Sequence, residues 1–475
     1  MNDGARTRVA ILGAGPAGLG AAFALAQRGI AATVLEQQDR VGGNAGSFEL
    51  AGLRVDFGSH RLHPASDPAV LGMLRGLLGD DLLERPRHGR ILLMGRWLHF
   101  PLRATDLARH APPRFALGVG LDLAAKALPA RPAAVETFAS VLRRGLGRTI
   151  CDEFYFPYAK KVWGMDPEEL SPIQAAKRVS SGSIGKMLKR LLPGGAGSGA
   201  ANAKGVFYYP RGGYGQICEA LAGAARSAGT GIRLGARVKQ LCLGDRTHRL
   251  AFEHEGTPGV LEADHVWSTI PVTALARMVD PAAPESVREA AGSLRFRAML
   301  LIYLVLDTDR FTDFDAHYFP GADLRITRLS EPKNYAAQTT PEGTTVLCAE
   351  LPCQPDDAVW NQDDDELGRL VTEDLATAGL PLRCAVREVH TRRLPNAYPL
   401  YPIGYERAFD RLDGWAAGLV RVLTFGRQGL YAHDNTHHAL YMAAAAARCL
   451  RDDGSFDDVE WARERKIFET HVVED

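Results

Sequence analysis

The segment of residues 8–44, RVAILGAGPAGLGAAFALAQRGIAATVLEQQDRVGGN, constrains the fold more than any other part of the chain. It reads as a short apolar strand, a glycine-rich turn, a helix of small residues and a second strand ending at Glu36. Gly13 permits the tight turn, Gly15 lets the backbone approach a pyrophosphate, and Gly18 lets the helix pack closely on the sheet. Free N–H groups at the helix N-terminus would hold the pyrophosphate. The segment therefore predicts a Rossmann-type dinucleotide site.

The acidic residue at the end of the second strand indicates which dinucleotide is bound. Glu36 follows the glycine turn by about twenty residues, where a carboxylate accepts hydrogen bonds from ribose hydroxyls. A carboxylate in this position repels a 2′-phosphate, so NADP is disfavoured.

The continuation of the segment resembles the two-dinucleotide-fold flavoproteins. Residues 40–44 read RVGGN, and in that class an Arg-x-Gly-Gly segment wraps the pyrophosphate and ribityl chain of FAD. An ordinary surface turn is the alternative. The resemblance implies FAD as the cofactor. It assigns to the FAD site, at this end of the chain, Gly13, Gly15, Pro16, Ala17, Gly18, Glu36, Gln37, Arg40, Gly42, Gly43 and Asn44.

Further motifs follow in the same order along nearly the whole chain. They are residues 56–60 (DFGSH), 156–164 (FPYAKKVWG), 209–213 (YPRGG), 327–328 (TR) with 331–334 (EPKN), and 426–429 (GRQG). They resemble UDP-galactopyranose mutase-like proteins and the wider protoporphyrinogen oxidase and amine oxidase superfamily.

This resemblance implies an α/β fold, in which a Rossmann-type FAD-binding domain is interleaved with an α+β substrate domain. We expect the FAD domain to comprise residues 1–66, 205–275 and 415–475. The substrate domain would comprise residues 67–204 and 276–414.

In the superfamily, the last glycine segment and the helix after it lie against the flavin. A helix N-terminus there would stabilise negative charge on the flavin. Packing alone is the alternative for this strand-turn-helix unit. The resemblance adds to the FAD site Gly58, Ser59, His60, Val238, Gly426, Arg427, Asn435 and Thr436.

Candidate substrate residues also come from the resemblance. Arg328 matches the mutase arginine that pairs with a diphosphate, and a guanidinium suits phosphate or carboxylate oxygens equally. An ion pair with Glu331 is the alternative. The other residues assigned to the substrate are Arg178, Tyr398, Tyr401 and Tyr405, with aromatic core packing as the alternative for the tyrosines.

Four histidines are candidate catalytic groups. His60 and His63 match a histidine loop beside the mutase flavin, where an imidazole can donate a hydrogen bond or carry a proton. A structural role is the alternative for each. His433 and His437 are candidate proton carriers because residues 432–438 (AHDNTHH) replace the tyrosines and Met-Asp ending of the mutases. The crowding of histidines could suggest a metal ion, but we assign no metal site, since side chains at a flavin-facing helix would more readily bind substrate or cofactor.

Two functions remain. In the first, an FAD-dependent oxidoreductase takes a hydride from a small organic substrate, in specialised or sugar metabolism, and oxygen or another acceptor restores the FAD. In the second, a mutase isomerises a nucleotide sugar on reduced FAD without net redox change. The altered histidine segment favours the first. A flavin-binding scaffold without chemistry is a third, weaker alternative.

Composition excludes several other classes. Lys plus Arg and Asp plus Glu both number 56, so no nucleic-acid partner is expected. No stretch reaches the roughly 18 apolar residues of a membrane span, and no secretory signal precedes the first strand. The seven cysteines are scattered, which predicts reduced thiols in a cytoplasmic protein.

The apolar pattern also predicts the elements outside the dinucleotide unit. Residues 70–176 read as mostly helical, and residues 115–130 are expected to pack in the core. The glycine-rich residues 193–205 read as a mobile linker, with a lid as the alternative. Residues 297–307 and 346–351 predict an antiparallel sheet.

Overall fold

The computed structural model describes residues 7–101, 106, 109–125, 135–178, 205–336 and 338–473, without the side chain of Arg178. Its strands are β1 Arg8–Leu12, β2 Ala31–Leu35, β3 Ser47–Leu50, β4 Leu53–Asp56, β5 Leu82–Pro86, β6 Gly89–Leu93, β7 Arg96–Phe100, β8 Val206–Pro210, β9 Gly231–Arg233, β10 Ala236–Cys242, β11 His248–His254, β12 Thr257–Ala263, β13 His265–Ser268, β14 Val279–Asp280, β15 Phe296–Leu306, β16 Ala316–Tyr318, β17 Arg328–Ser330, β18 Thr345–Cys353, β19 Val386–Pro399 and β20 Val422–Thr424.

The α-helices are α1 Pro16–Gln27, α2 Pro68–Leu78, α3 Pro113–Ala125, α4 Phe138–Leu146, α5 Arg148–Ile150, α6 Phe156–Trp163, α7 Pro172–Arg178, α8 Gln216–Ser227, α9 Val272–Met278, α10 Glu285–Ser293, α11 Pro332–Tyr335, α12 Asp364–Thr377, α13 Tyr405–Ala417, α14 Gly426–Gly429, α15 Thr436–Cys449 and α16 Asp458–Glu469. A π-helical turn, Cys151–Tyr155, joins α5 to α6.

A five-stranded parallel sheet with the order β20-β13-β1-β2-β9 confirms the Rossmann-type unit. Strands β1 and β2 of this sheet come before residue 36. The chain then forms elements outside the sheet and later adds β9, β13 and finally β20 to it. One apolar cluster joins this sheet to α1, α8 and α15. Val70, Leu74 and Leu78 of α2 pack in the same cluster. The expected interleaving of the α/β architecture is therefore present, whereas the domain boundaries stay a prediction.

The second large sheet has seven strands in the order β19-β15-β18-β17-β16-β6-β7. The long buried strand β15 pairs antiparallel with both β18 and β19. This confirms the antiparallel sheet expected from residues 297–307 and 346–351.

The mostly helical reading of residues 70–176 was wrong for its first part. Residues 82–100 form β5, β6 and β7, and β6 pairs with β7 as a hairpin. Gly89, Ile91 and Leu93 are buried and alternate with less buried neighbours, which is the period of a strand. An Ala-, Leu- and Arg-rich composition concealed this alternation.

Helix α3 does not pack as expected. Phe115 is its one buried residue among those described, whereas Leu117 and Leu121 are 67% and 63% exposed. The core packing expected for residues 115–130 was therefore wrong as far as residue 125, and residues 126–130 lie outside the described part. Residues 193–204, read as a linker or lid, also lie outside it.

Residues 231–242 form two strands, β9 and β10, with Gly235 between them. These two strands belong to different sheets. Across the described ranges, we find no helix with the length and apolarity that a membrane span requires.

Candidate functional site

A cavity of about 1330 Å³ lies between the two large sheets. The parallel sheet and its first helix contribute Gly15 and Glu36 to the wall, and the seven-stranded sheet contributes Leu301, Arg328 and Glu350. A ligand at the carboxyl ends of parallel strands is the usual arrangement in open α/β sheets. The cavity therefore joins the dinucleotide site to a second compartment.

Most of the residues predicted to contact FAD line this cavity. They are Gly13, Gly15, Pro16, Ala17, Glu36, Gln37, Arg40, Gly43, Asn44, Gly58, Ser59, His60, Val238, Arg427, Asn435 and Thr436. Gly18, Gly42 and Gly426 are not among the described residues of the wall.

Gly18 and Gly42 are required by close backbone approaches. A Cβ atom on Gly18 would lie 1.9 Å from the carbonyl oxygen of Gly13, so any side chain would separate α1 from the glycine turn. Gly42 has φ +111°, and a Cβ there would lie 2.6 Å from the Cα of Gly46. These contacts keep the turn and the RVGGN segment close together, as an FAD pyrophosphate site needs.

Glu36 is held rigidly at the end of β2. Its Oε2 accepts from the Ala14 N–H at 2.7 Å, and its Oε1 accepts from the Gln38 N–H at 2.8 Å. An ionised carboxylate has about four acceptor positions, so each oxygen can accept a further bond from a ribose hydroxyl. This geometry fits the role expected for Glu36.

His60 lies in the cavity wall beside the end of the β3–β4 hairpin. Its Nε2 contacts the Phe57 carbonyl oxygen at 2.9 Å, and its ring stacks on Tyr214 with centroids 5.1 Å apart. A carbonyl oxygen can only accept, so Nε2 carries the hydrogen and Nδ1 of the neutral ring carries the lone pair. Burial lowers the pKa of His60, partly offset by Asp56, which keeps the ring neutral.

Asp56 organises the backbone under His60, and the sequence reading did not single it out. It accepts from Ser47 Oγ at 2.6 Å, from Tyr209 Oη at 2.6 Å and from the Tyr214 N–H at 2.8 Å. Burial raises the pKa of Asp56, although these donors oppose the shift. The DFGSH and YPRGG motifs thus contribute to one hydrogen-bond network. The polar residues of the two motifs were the sequence signal that could have indicated this network.

Arg328 has a different partner from the one considered. Its Nη2 donates to Glu350 Oε2 at 2.8 Å, and both side chains are largely buried. Glu331 instead accepts from the Phe311 and Thr312 N–H groups, at 2.9 and 3.1 Å. The sequence signal for Glu350 was an acidic residue inside the otherwise apolar strand β18.

Glu350 also fixes the loop that carries His60. Its Oε1 accepts from the Ser59 N–H at 2.8 Å. One carboxylate therefore joins the Arg328 guanidinium to the loop after β4, and all three residues line the cavity.

Arg61 is a second buried cation of the wall that the sequence reading missed. It donates to Tyr318 Oη at 3.0 Å, to Asp315 Oδ1 at 3.1 Å and to Tyr335 Oη at 3.2 Å. Burial disfavours the charged form of Arg61, but Tyr318, Tyr335 and Asp315 together raise its pKa. Its charge is thus balanced inside the protein.

Arg427 lines the cavity, but its guanidinium donates hydrogen bonds to backbone carbonyl groups of the chain. It donates to the carbonyl oxygens of Ala397, His433 and Asp434 at 2.8, 3.1 and 3.2 Å. Its guanidinium also lies 5.0 Å from the Tyr398 ring centroid. Arg427 therefore shapes the segment that leads into α15.

The three candidate tyrosines do not all line the cavity. Tyr398 lines the cavity together with Arg328, whereas Tyr401 and Tyr405 are not among the described residues of its wall. Tyr401 donates to the Tyr431 carbonyl oxygen at 2.6 Å and stacks on Tyr405 with centroids 4.1 Å apart. These contacts match the aromatic packing alternative.

The candidate histidines also separate. His63 lines the cavity, whereas His433 and His437 are not among the described residues of its wall. His433 packs edge-on against Trp163, with ring centroids 4.9 Å apart. Burial lowers the pKa of His437 to about 4. The backbone of Arg178 ends α7, and its side chain lies outside the described residues.

The compartment facing the seven-stranded sheet is mainly aromatic and apolar. Residues from the α4 to α6 region and from the sheet line it, namely Ile91, Phe138, Leu146, Phe154, Tyr155, Tyr158, Val162, Trp163 and Tyr318. Such walls suit an organic group better than a chain of hydrated hydroxyls.

Comparison with known proteins agrees with this geometry. The sequence model of the family described as flavin containing amine oxidoreductase matches residues 16–441. Phytoene dehydrogenase of Streptomyces griseus is 30% identical over 287 residues, which are 53% of this chain and 52% of that protein. The chain thus spans about half the length of that relative. Chloroplastic protoporphyrinogen oxidase 1 of Spinacia oleracea is 24% identical over 458 residues, which cover 89% of this chain and 77% of that protein.

Solved structures show the same fold. Reduced UDP-galactopyranose mutase superposes with a TM-score of 0.79 and 20% identity, covering 98% of this chain and all of that one. A protein described as a putative protoporphyrinogen oxidase from Exiguobacterium sp. 255-15 has a TM-score of 0.70 and 18% identity, with 93% and 98% of the two chains covered.

Proposed function

Because the chain belongs to the flavin-containing amine oxidoreductase family, we propose that it oxidises a small organic substrate by removing a hydride from a C–H bond. FAD is its cofactor and supplies the hydride acceptor when bound. The side chains of the cavity hold the cofactor, orient the substrate, exclude water and accept the accompanying proton. Oxygen or another acceptor completes the cycle.

The Arg328–Glu350 ion pair favours oxidation over sugar-nucleotide isomerisation. A mutase needs guanidinium groups free to balance a diphosphate, whereas the Arg328 charge is already balanced by Glu350 at 2.8 Å. Arg61 is likewise paired with Asp315 at 3.1 Å. With these charges neutralised and aromatic residues around them, the compartment suits an apolar substrate group.

His60 is our candidate for the proton acceptor. Its Nε2 is occupied by the Phe57 carbonyl oxygen, so Nδ1 is the ring atom that can accept a proton. The lowered pKa of His60 keeps this atom unprotonated near neutral pH. Stacking on Tyr214 and the hydrogen bond to Phe57 fix the ring plane, which orients the lone pair.

An anaerobic absorbance experiment tests the reaction class. The purified yellow protein is mixed with candidate reduced substrates and with UDP-galactopyranose, each with and without dithionite. Bleaching of the flavin band by an organic substrate alone supports the proposal and identifies the substrate class. Interconversion of the UDP-sugar only after dithionite, with no bleaching by any substrate, would replace the proposal with the mutase alternative.

A substitution tests the proton acceptor once a substrate is known. We expect His60→Gln to retain FAD and to reduce the rate of flavin reduction by about 100-fold, the usual contribution of a general base. His254→Gln, on the β11–β12 hairpin, is the matched control. An unchanged reduction rate and pH profile in His60→Gln would remove His60 from the reaction.

A further inference from the structure

A group of potential metal ligands lies at the cavity wall, which one of them, Asp434, lines. Asp434, His438 and His471 come from the loop before α15, from the first turn of α15 and from the tail after α16. One ligand atom from each lies within 4.8 Å of the others. From the sequence we assigned no metal site to the histidines of residues 432–438, and only the fold brings His471 to them.

The distances within this group are too long for hydrogen bonds. Asp434 Oδ1 lies 3.5 Å from His438 Nδ1 and 3.6 Å from His471 Nδ1. A hydrogen bond between such atoms spans about 2.7–3.2 Å. Around a tetrahedral zinc ion, with bonds of about 2.0–2.1 Å, neighbouring ligand atoms are roughly 3.3–3.4 Å apart. The two distances from Asp434 Oδ1 are therefore closer to those between the ligands of a metal ion than to those of hydrogen bonds.

The electrostatics of the group also call for a cation. His438 Nδ1 accepts from the Asn435 N–H at 3.2 Å, so it has no hydrogen to donate to Asp434. His471 Nδ1 is buried and has no hydrogen-bond partner among the described residues. The Asp434 side chain is only 4% exposed. A buried carboxylate thus faces two imidazole nitrogens without a shared hydrogen bond.

The charged neighbours do not complete the group. Lys177 is close enough to Asp434 for an electrostatic interaction, but its Nζ donates to the Glu469 carbonyl oxygen at 2.6 Å. His63 and His437 are also close enough to His438 for electrostatic interactions.

We propose that Asp434, His438 and His471 bind a divalent transition-metal ion of the zinc class, with water as the fourth ligand. Two imidazoles and one carboxylate form a donor set typical of zinc. The His438 and His471 rings stack at 12° with centroids 4.3 Å apart. Because the lone pair lies in the ring plane, one ring turns on binding and the Asn435 N–H contact is exchanged for coordination.

The bound ion ties the C-terminal tail to the helix beside the cavity. The tail is also held by the Val473 N–H, which donates to the Lys177 carbonyl oxygen at 2.9 Å. Asp434 and Val473 both line the cavity, so the ion stabilises the part of the wall that they form. This role is independent of which substrate is oxidised.

The test uses the FAD-loaded full chain, prepared without a histidine tag, treated with a chelator and dialysed. Mass spectrometry of the metal content and calorimetry with Zn²⁺ should then give one ion per chain with a Kd of about 1 µM or tighter. Co²⁺ should give tetrahedral absorption bands at wavelengths beyond the flavin band. Zn²⁺ should also raise the Tm.

Variants assign the ligands. His471→Ala should weaken Zn²⁺ binding by at least about 100-fold and abolish the Tm shift, because a two-ligand site holds zinc poorly. Asp434→Asn provides a second loss of ligand, and His254→Ala is the matched control. Retained flavin absorbance shows that each variant is folded. Weak or absent Zn²⁺ binding by the wild type, or equal binding by wild type and His471→Ala, would overturn the site and leave a bridging water in its place.

Discussion

Tyr209 donates from its phenol to Asp56 Oδ2 at 2.6 Å, although the two residues are 153 positions apart in the chain. The bond joins β8 to the end of β4, directly below the loop that carries His60. Both side chains are fully enclosed, at 1% and 4% exposure. The placement of His60 therefore depends on a contact between two distant motifs.

We expect Tyr209→Phe to lower the free energy of unfolding by about 1–3 kcal/mol, since Asp56 loses a donor while remaining buried. Tyr208→Phe is the control, because Tyr208 Oη accepts from Arg75 at 3.0 Å near the solvent. Its cost should stay below about 1 kcal/mol. Urea unfolding of both variants with excess FAD measures the difference. Equal costs would show that the Asp56 network contributes no particular stability.

The Arg328–Glu350 pair should be far more costly to break than an exposed pair. Glu350→Ala leaves a buried guanidinium uncompensated and frees the Ser59 N–H, so we expect a loss of roughly 3–5 kcal/mol. In Glu373→Ala, which removes a surface contact of Arg325, the loss should be under about 1 kcal/mol. Denaturant midpoints compare the two. A loss below 1 kcal/mol in Glu350→Ala would contradict the importance given to this pair.

The sequence predicted well where one local pattern determined the backbone. Gly13 and Glu36 could be placed because a βαβ unit brings the turn and the end of the second strand together. The long strand β15 was recognisable because it is apolar throughout. These features depend on neighbours in the chain.

Contacts between distant segments were beyond the sequence reading. Glu350 was missed because only pairing between β17 and β18 brings it opposite Arg328. His471 reaches His438 only after α16 turns the tail back. Tyr401 and Tyr405 share a motif with Tyr398, yet the strand ends at residue 399 and the two later tyrosines turn into a packed cluster. One sequence gives no measure of such long-range contacts.

The stability of the protein should fall in acid partly through His317. Its side chain is 1% exposed, and burial, with the Arg90 charge, lowers its pKa from 6.5 to about 3. Between these values the unfolded chain binds a proton that the folded chain does not. Stability therefore rises with pH across this window, by at most about 1.4 kcal/mol per pH unit from this residue.

We expect His317→Leu to reduce the pH dependence of the free energy of unfolding between pH 6.5 and pH 4. Above pH 7 the curves of wild type and variant should run parallel, because His317 is neutral in both states. Urea titrations at several pH values give both curves. Parallel curves across the acidic window as well would show that His317 is not held neutral by burial.

Substitutions of Gly15 and Gly18 by alanine should distinguish a glycine that FAD binding requires from a glycine that folding requires. A Cβ on Gly15 would meet no protein atom within 4 Å, although Gly15 lines the cavity. Its φ is −80°, which any residue can adopt. Gly15→Ala should therefore fold normally without FAD, with a Tm within about 2 °C of the wild-type apoprotein. It should bind FAD at least about 10-fold more weakly, because the methyl group occupies the space of the pyrophosphate.

Gly18→Ala should lower the Tm of the apoprotein itself, since its Cβ meets the Gly13 carbonyl oxygen at 1.9 Å. Thermal unfolding without FAD and flavin titration of each variant make the comparison, and a Gly15→Ala apoprotein as unstable as Gly18→Ala would show that both glycines serve packing alone.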